Sequence, residues 1–451
     1  MKYAVKLEIV SDESTGLALD GQSKICNWLY NHLLETANNL RQQYREAQAN
    51  AIASVLYTKR GFRDLIPDLK KDHPFLKTVH SKPLKNAALR LSETIQAYQK
   101  SRKGKRKGKR IQWPKFRKWK QDWFSLLYCE PWNGYKVEDG NLILSLGKGE
   151  DGKQLKLTVP LKESSALAGK KVKTLEVVKE YGRFYACFTV EAPEKPKKPI
   201  QKVVAIDPNH KNLGYAVDTD NAGIEIKSVQ RFIKRSQSKI DYLKSRRDLC
   251  KKKSVQVDLR NGRYYWRPSK RWMHLDMALQ RAYRKRREQT KHMLFALANR
   301  MYKAYDLVLI GDYTPQPGTG ISRGMRRAMN NESLIGGLKK TLAHVALKSG
   351  KHYQEYKETN TTKKCNVCWF LNGMLTLDDR DWICPGCGTH HLRDENAAIN
   401  GLKKNFMSCS DPFVVRQRCA WEWNFSQWML IPRKLNDGSG SPSAKPVHSF
   451  A

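Results

Sequence analysis

The chain has 451 residues, enough for two or three domains and a substantial core without disulfide staples. Its 84 Lys and Arg against 43 Asp and Glu give a formal net charge of +41, far beyond what solubility requires, so a polyanionic partner is implied. The cations are spread along the chain with no amphipathic anchor beside them, which argues against a membrane surface and for nucleic acid.

The amino terminus runs straight into an alternating strand, and no apolar run is long enough to cross a bilayer. The expectation is an intracellular, cytoplasmic and nucleoid-associated protein. Its ten cysteines are then reduced, and six of them (Cys26, Cys129, Cys187, Cys250, Cys409, Cys419) show no framework spacing.

Tyr3, Val5, Leu7 and Ile9 alternate as a strand, and an apolar face then recurs through Ile25, Trp28, Leu29, Leu33, Ala37 and Leu40, a long helix with start signals at Asp20 to Ser23. A second helix is predicted from Pro83 through Leu84, Ala87, Leu91 and Ile95 to Tyr98, with a loop of short turns between the two at 61–74. From Lys100 to Lys120 there are twelve cations and no acid. Lys103, Lys105, Arg106, Lys107, Lys109 and Arg110 read either as a solvated loop or as phosphate contacts. Beyond them Trp113, Phe116 and Trp119 alternate with Lys115, Arg117 and Lys118; the aromatics either stack on bases or pack on the fold.

Short alternating runs at 124–128, 142–146, 155–159, 172–178 and 184–190 predict β structure that completes a barrel begun by the first strand. A Pro and Lys segment near 195–200 marks a domain boundary. Strands follow at 203–206, 213–217 and 224–229, then basic helices over 230–305 that read either as a nucleic-acid-facing pair, which their one-sided charge favours, or as a solvated one, then a strand at 307–311. A glycine and arginine loop at 318–327 and a helix at 333–348 lead to a strand before Glu358.

Cys365-Asn-Val-Cys368 and Cys384-Pro-Gly-Cys387 are two Cys-x-x-Cys pairs fifteen residues apart. A hairpin carrying Thr376-Leu377 and Trp382-Ile383 would fold one pair onto the other and close a structural tetrahedral zinc site; a redox dithiol is the competing reading. His390 and His391 are alternative ligands, or solvated histidines if the four thiolates fill the shell. Asp394 begins a helical run and reads as a cap. Two further acids follow apolar strands, Asp207 after Val203 to Ile206 and Asp312 after Leu307 to Gly311, and separated acids of this kind can converge on a metal pair.

Ile206-Asp207-Pro-Asn-His-Lys-Asn-Leu-Gly, the Ile310-Gly-Asp-Tyr strand end, the double Cys-x-x-Cys and Arg393-Asp-Glu-Asn-Ala-Ala-Ile-Asn resemble, in order, the split RuvC nuclease of the transposon-encoded TnpB family and of the compact type V CRISPR effectors. The resemblance is firm over about 200–403, and the Pro114-Lys-Phe-Arg segment resembles a basic element of the same family. It implies an α/β plus all-β protein: a β-barrel domain (1–194) with a helical recognition insertion (about 15–122), a linker (195–200), a split RNase H-like RuvC domain (201–363 and 388–403), a zinc ribbon (364–387), and a tail (404–451) whose end is disordered. It further implies an RNA-guided DNA endonuclease that binds guide RNA and target DNA, reads a short motif beside the target, and hydrolyses DNA with two Mg2+ or Mn2+ ions. One Zn2+ would be structural. Asp207 and Asp394 match the first and third acids of that site. The second is a glutamate closing the 307–311 strand in most of the family, and Gly311 stands there, which leaves Glu358, Asp312 or no ligand. Two alternatives stay open, a guide-directed repressor with weak or lost cutting and a transposition protein that binds transposon ends.

Overall fold

A computed structural model of the chain describes residues 2–433 except 107, 118–122, 150, 210–211, 228, 259–263, 314–321, 323–332, 377–378 and 409–411. The chain divides into two compact units, Met1–Pro193 and Glu194–Ala451.

In the first unit, strand β1 (Lys2–Glu8) leads into helix α1 (Glu13–Ala47). The helix starts seven residues before the expected signals, because the Asp12 carboxylate accepts from the Thr15 backbone N–H at 2.7 Å. Short helices α2 (Asn50–Leu56), α3 (Gly61–Asp64) and α4 (Ile66–Asp72) connect to α5 (Ser81–Arg102). Six strands follow, β2 (Leu126–Tyr128), β3 (Tyr135–Glu138), β4 (Asn141–Lys148), β5 (Gln154–Pro160), β6 (Lys171–Glu180) and β7 (Arg183–Glu191). They form two sheets, ordered β1-β7-β6-β2 and β3-β4-β5, and a bridge between Ile9 and Leu161 ties one to the other. Asp139-Gly140 and Tyr181-Gly182 hold positive φ at the tight turns between β3 and β4 and between β6 and β7, the handedness two-residue hairpins need. Leu29 and Leu33 of α1, Leu84, Leu91 and Ile95 of α5, and Leu126, Leu142 and Phe188 from both sheets share one core.

The basic run separates into two kinds of residue. Lys103, Lys105, Arg106, Lys109, Arg110 and Lys115 are exposed. Trp113 and Arg117 are partly buried and make internal contacts. The Trp113 indole N–H donates to Asn38 Oδ1 at 2.8 Å and its ring meets the edge of Tyr98. Arg117 Nε donates to Asn27 Oδ1 at 2.5 Å and Nη2 to the Trp123 carbonyl at 2.8 Å, with its guanidinium 5.0 Å from the centre of the Phe124 ring. Lys107, Lys118 and Trp119 lie outside the described residues.

The second unit is built on a seven-stranded sheet. Strands β8 (Val203–Asp207), β9 (Gly214–Asp218) and β10 (Ala222–Ile226) form an antiparallel meander. The expected helical stretch is two helices, α6 (Gln230–Leu249) and α7 (Lys270–Ala304), interrupted by a hairpin of β11 (Val255–Asp258) and β12 (Tyr264–Arg267). Then come β13 (Leu307–Gly311), α8 (Ile335–Ser349), β14 (His352–Tyr356), the small hairpin β15 (Asp381–Ile383) and β16 (His390–Leu392), and α9 (Arg393–Asn405). Thr376, expected in a strand, is not in one, and Leu377 is not described. The segment expected to be a tail carries β17 (Gln417–Trp423) and β18 (Trp428–Arg433), which belong to the main sheet. The order is β14-β13-β8-β9-β10-β17-β18, with β13 and β14 parallel to β8 and β17 parallel to β10. The flexible end expected at 437–445 and most of the 318–327 loop lie outside the described residues.

Every residue of β8 and β13 is buried, as their unbroken apolar runs require of central strands covered on both faces. Alternation splits the covering. Val204, Ile206, Val308 and Ile310 pack with Met293, Leu297 and Met301 of α7 and with Leu338 and Leu342 of α8. Val203, Ala205, Leu307 and Leu309 pack with Ala398, Ile399 and Leu402 of α9. Trp421 and Trp428 join the first of these clusters. Burying two indoles contributes about 3 kcal/mol each before ordering entropy, which is why this segment belongs to the folded unit.

Arg117→Ala should lower the stability of the protein by about 2 kcal/mol, because it strands the amide of Asn27 and the carbonyl of Trp123. Thermal unfolding with nucleic-acid titration checks it. A variant of parental stability with a shallower salt dependence of binding would restore Arg117 to the phosphate contacts.

Candidate functional site

Strands β8, β13 and β14 run parallel, so their carboxyl ends open on one edge of the sheet, the edge where ligands bind in open α/β sheets. Asp207 ends β8 there. It is 5% exposed and makes no ion pair among the described residues. Burial first, then the charges of Glu358 and Asp394, push its carboxyl well above the usual carboxylate range, with Arg393 and Arg380 acting the other way. Asp207 is therefore the acid that feels the charge of each of the other two.

Asp394 lies in the first turn of α9, where a carboxylate meets the positive end of the helix dipole. Asn209 Nδ2 donates to its Oδ2 at 3.3 Å and Arg380 Nη1 to its Oδ1 at 3.3 Å. The neighbouring Glu395 points elsewhere. It takes two bonds from Arg418 of β17, at 2.9 and 3.0 Å, and one from the Tyr215 hydroxyl at 2.6 Å. Arg418 therefore fixes the amino end of the helix that carries Asp394. Nothing local in the sequence marks it, since the pairing joins residues 23 positions apart.

The two candidates for the second acid are separated by geometry. Asp312 is exposed, and its Oδ1 accepts the Glu358 backbone N–H at 3.2 Å. It holds the turn in which Glu358 sits. The Glu358 side chain points back across the end of β13, and a Cβ built on Gly311 would lie 1.6 Å from Glu358 Oε1 and 2.4 Å from its Cδ. The carboxylate of residue 358 thus occupies the space into which a side chain at 311 would project. Burial and, less, the charge of Asp312 raise the Glu358 carboxyl to about 7, against a hydrogen bond from the Tyr313 backbone N–H and the charge of Lys339. Among the described residues, its Oε1 is buried without a hydrogen-bond partner. Behind these acids, the Tyr356 hydroxyl donates to the Ile206 carbonyl at 2.9 Å and ties β14 to β8. Gly401 lets α9 come this close, because a Cβ there would be 2.4 Å from Tyr356 Cζ.

Two carboxyl groups whose charged forms are disfavoured by burial and by neighbouring acids suit a site that divalent cations would neutralise. Asp207, Glu358 and Asp394 are the residues that would hold them.

Cys365, Cys368, Cys384 and Cys387 bring their sulfurs within 4.8 Å of one another, among the described residues the one group of three or more such side chains placed to share an ion. Four thiols so placed suit a closed, structural tetrahedral site. His391 is 4% exposed, its Nε2 is 3.1 Å from Cys365 Sγ, and its ring packs on Trp382 at 4.7 Å. Asn366 Nδ2 faces His391 Nδ1 at 3.3 Å, which leaves Nε2 as the protonated nitrogen that donates to the sulfur. His391 supports a ligand, and His390 is exposed.

Three residues of α9 at helical spacing clamp this loop. Asn396 Oδ1 accepts from the Asn366 backbone N–H at 3.0 Å, Asn400 Nδ2 donates to the carbonyls of Thr361 and Lys364 at 2.8 and 2.7 Å, and Lys403 Nζ donates to the Asn366 carbonyl at 2.8 Å. The helix that begins with Asp394 is therefore bonded to the segment that carries Cys365. Purified protein should hold one zinc, and Asn396→Ala should release it to a chelating dye about tenfold faster than the parent, the size of effect that outer contacts of metal ligands produce. Equal release rates would show that the clamp does not reach the metal.

Residues 336–401 match the family model described as Cas12f1-like, TNB domain. The Mycobacterium tuberculosis (strain H37Rv) protein named "Putative RNA-guided DNA endonuclease Rv2885c" is 26% identical over 141 residues, 29% of this chain and 29% of that protein. TnpB-like protein L79 of Acanthamoeba polyphaga mimivirus is 26% identical over 140 residues, 30% of this chain and 26% of that protein. The chain thus spans under a third of the length of these curated relatives. The protein in the cryo-EM structure of the Cas12f1-sgRNA-target DNA complex superposes with a TM-score of 0.52 at 12% identity, over 91% of this chain and 99% of that one. At that identity the likeness is one of fold.

Proposed function

We propose that this chain, a TnpB-family relative of the type V effectors, is an RNA-guided DNA endonuclease whose single RuvC-type site is formed by Asp207, Glu358 and Asp394. The observation that carries the reading is the Glu358 side chain lying where a residue 311 side chain would lie, at the carboxyl ends of parallel strands where Asp207 feels the charge of both Glu358 and Asp394. The names of its relatives, the fold likeness to a guide-bound and target-bound effector, and a net charge of +41 support RNA and DNA as partners.

Mg2+ or Mn2+ ions held by Asp207, Glu358 and Asp394 would supply charge neutralisation at the phosphoryl oxygens and a more acidic water. The chain's own part is placement. Asp207, at the end of a fully buried strand, would be the central ligand, with Glu358 and Asp394 flanking it from the β13 and α9 sides. Ligands spread over two ions need not converge on one point as the four thiols do. Asn209 and Arg380 orient Asp394 through its two oxygens. The Asp312 carboxylate and the Tyr313 N–H fix the turn and side chain of Glu358. No covalent intermediate is required. The two sheets of the first unit and its helices form the barrel-like and guide-inspecting parts, and the zinc ribbon is structural.

Asp207→Ala and Asp394→Ala should each lower the rate of cutting a guide-matched duplex by at least about a hundredfold, since even outer contacts of metal ligands are worth 10- to 100-fold. Binding of guide and target should persist, because the lost groups hold metal rather than phosphate. Cutting and binding are measured side by side in Mg2+ and Mn2+. Undiminished cutting by Asp207→Ala would sink the site assignment. A parent that binds its matched target and never cuts would make the chain a guide-directed repressor.

A further inference from the structure

The first unit carries a second concentration of chemistry away from the carboxylates. Where α1 ends and α5 ends, the two helices and the residue after α2 enclose an open cleft of about 410 Å³. Arg41, Arg45, Arg102 and Lys103 line it together with Tyr44, Tyr57 and Tyr98, and no carboxylate does. None of the four cations makes an ion pair among the described residues. Cations near helix carboxyl ends offset the helix dipole, which accounts for Arg45 and Arg102 in part. It does not account for the aromatic walls. Tyr44 and Tyr57 meet edge to face at 5.5 Å, and the Arg41 guanidinium is fixed 4.2 Å over the Trp113 ring with Nη2 donating to the Tyr98 hydroxyl at 2.9 Å.

We infer that this cleft is a binding site for one unstacked nucleotide of a single strand, its base on the tyrosine walls and its phosphates on Arg45, Arg102 and Lys103. The inference rests on the nucleic-acid reading of the chain and deepens it. The volume is in the range of small-molecule sites, unneutralised cations around it favour an anion, and tyrosine and arginine faces are the surfaces on which unpaired bases stack. A simple inorganic anion would use the cations and leave the tyrosines without a role. The fixed Arg41 gives the wall rigidity, so the site exists before a strand arrives.

The test uses the purified full-length protein with fluorescein-labelled (dT)15, (rU)15 and an abasic strand of equal length. The parent should bind at least one intact strand about tenfold more tightly than the abasic one, and whichever strand shows the difference identifies DNA or RNA as the source. Tyr57→Leu should erase that difference with an unchanged salt slope. Arg45→Gln with Arg102→Gln should reduce the slope of log affinity against log salt by about 1.4, two phosphates at about 0.7 each for single strands. Circular dichroism and melting confirm that both variants fold, and Tyr57→Phe, which keeps the ring, should restore the preference. Equal binding of intact and abasic strands by the parent, or a preference that survives Tyr57→Leu, would overturn the inference. Cutting that depends on Asp207 in a protein whose base preference ignores Tyr57 would remove the pocket alone. A parent that never cuts but loses its base preference in Tyr57→Leu would remove the nuclease and keep the pocket.

Discussion

The approach of Glu358 to the end of β13 is the constraint on which the candidate site depends. A side chain at 311 and the present conformation of Glu358 exclude each other, since the one would begin 1.6 Å from an oxygen of the other. Glycine at 311 is therefore the condition for the acid to arrive from the neighbouring strand. That route needs its own supports. Asp312 accepts the Glu358 backbone N–H, and Tyr356, two residues earlier, is anchored to the Ile206 carbonyl. The anchored tyrosine in turn needs Gly401 on α9, so Glu358, the strand before it and the helix carrying Asp394 form one packed unit.

The same helix faces the four thiols with its other stripe. Asn396, Asn400 and Lys403, four and then three residues apart, bond to the 361–366 segment. All three are nearly inaccessible to water. Buried side-chain hydrogen bonds to a fixed backbone set relative position more sharply than apolar packing, which tolerates sliding. A ribbon that lost its metal would release the Asn366 contacts and with them one face of α9. This gives a physical reason for a four-thiol loop and an acid to be neighbours in the sequence, seven positions apart from Cys387 to Asp394.

Much of this was legible in the sequence, and what was not has physical causes. Unbroken apolar runs announced β8 and β13, and the Cys-x-x-Cys spacing announced the thiol cluster, because both signals are local. The choice between Asp312 and Glu358 was not legible: it depends on which side chain turns inward at a strand end, and parallel pairing of β13 with β14 decides that. The strand β17 was hidden for a related reason. Its partner β10 lies nearly two hundred residues away, and its residues Gln417 to Trp423 alternate only weakly. In the basic run the charge pattern was real, but an arginine that holds a carbonyl and an amide, as Arg117 does, has the same spelling as one that holds phosphate. The hairpin at 255–267 inside the basic helices is likewise too short to announce itself against helical flanks.

The relocation of the acid is the central claim, and cleavage by an exchange variant tests it most directly. Glu358→Ala alone should lose metal-dependent cutting, and adding Gly311→Asp, the shortest carboxylate that can reach the vacated space from the end of β13, should recover at least about tenfold of it. Parental cutting by Glu358→Ala would contradict the account, because it would show that the carboxylate filling the space beyond Gly311 holds no metal.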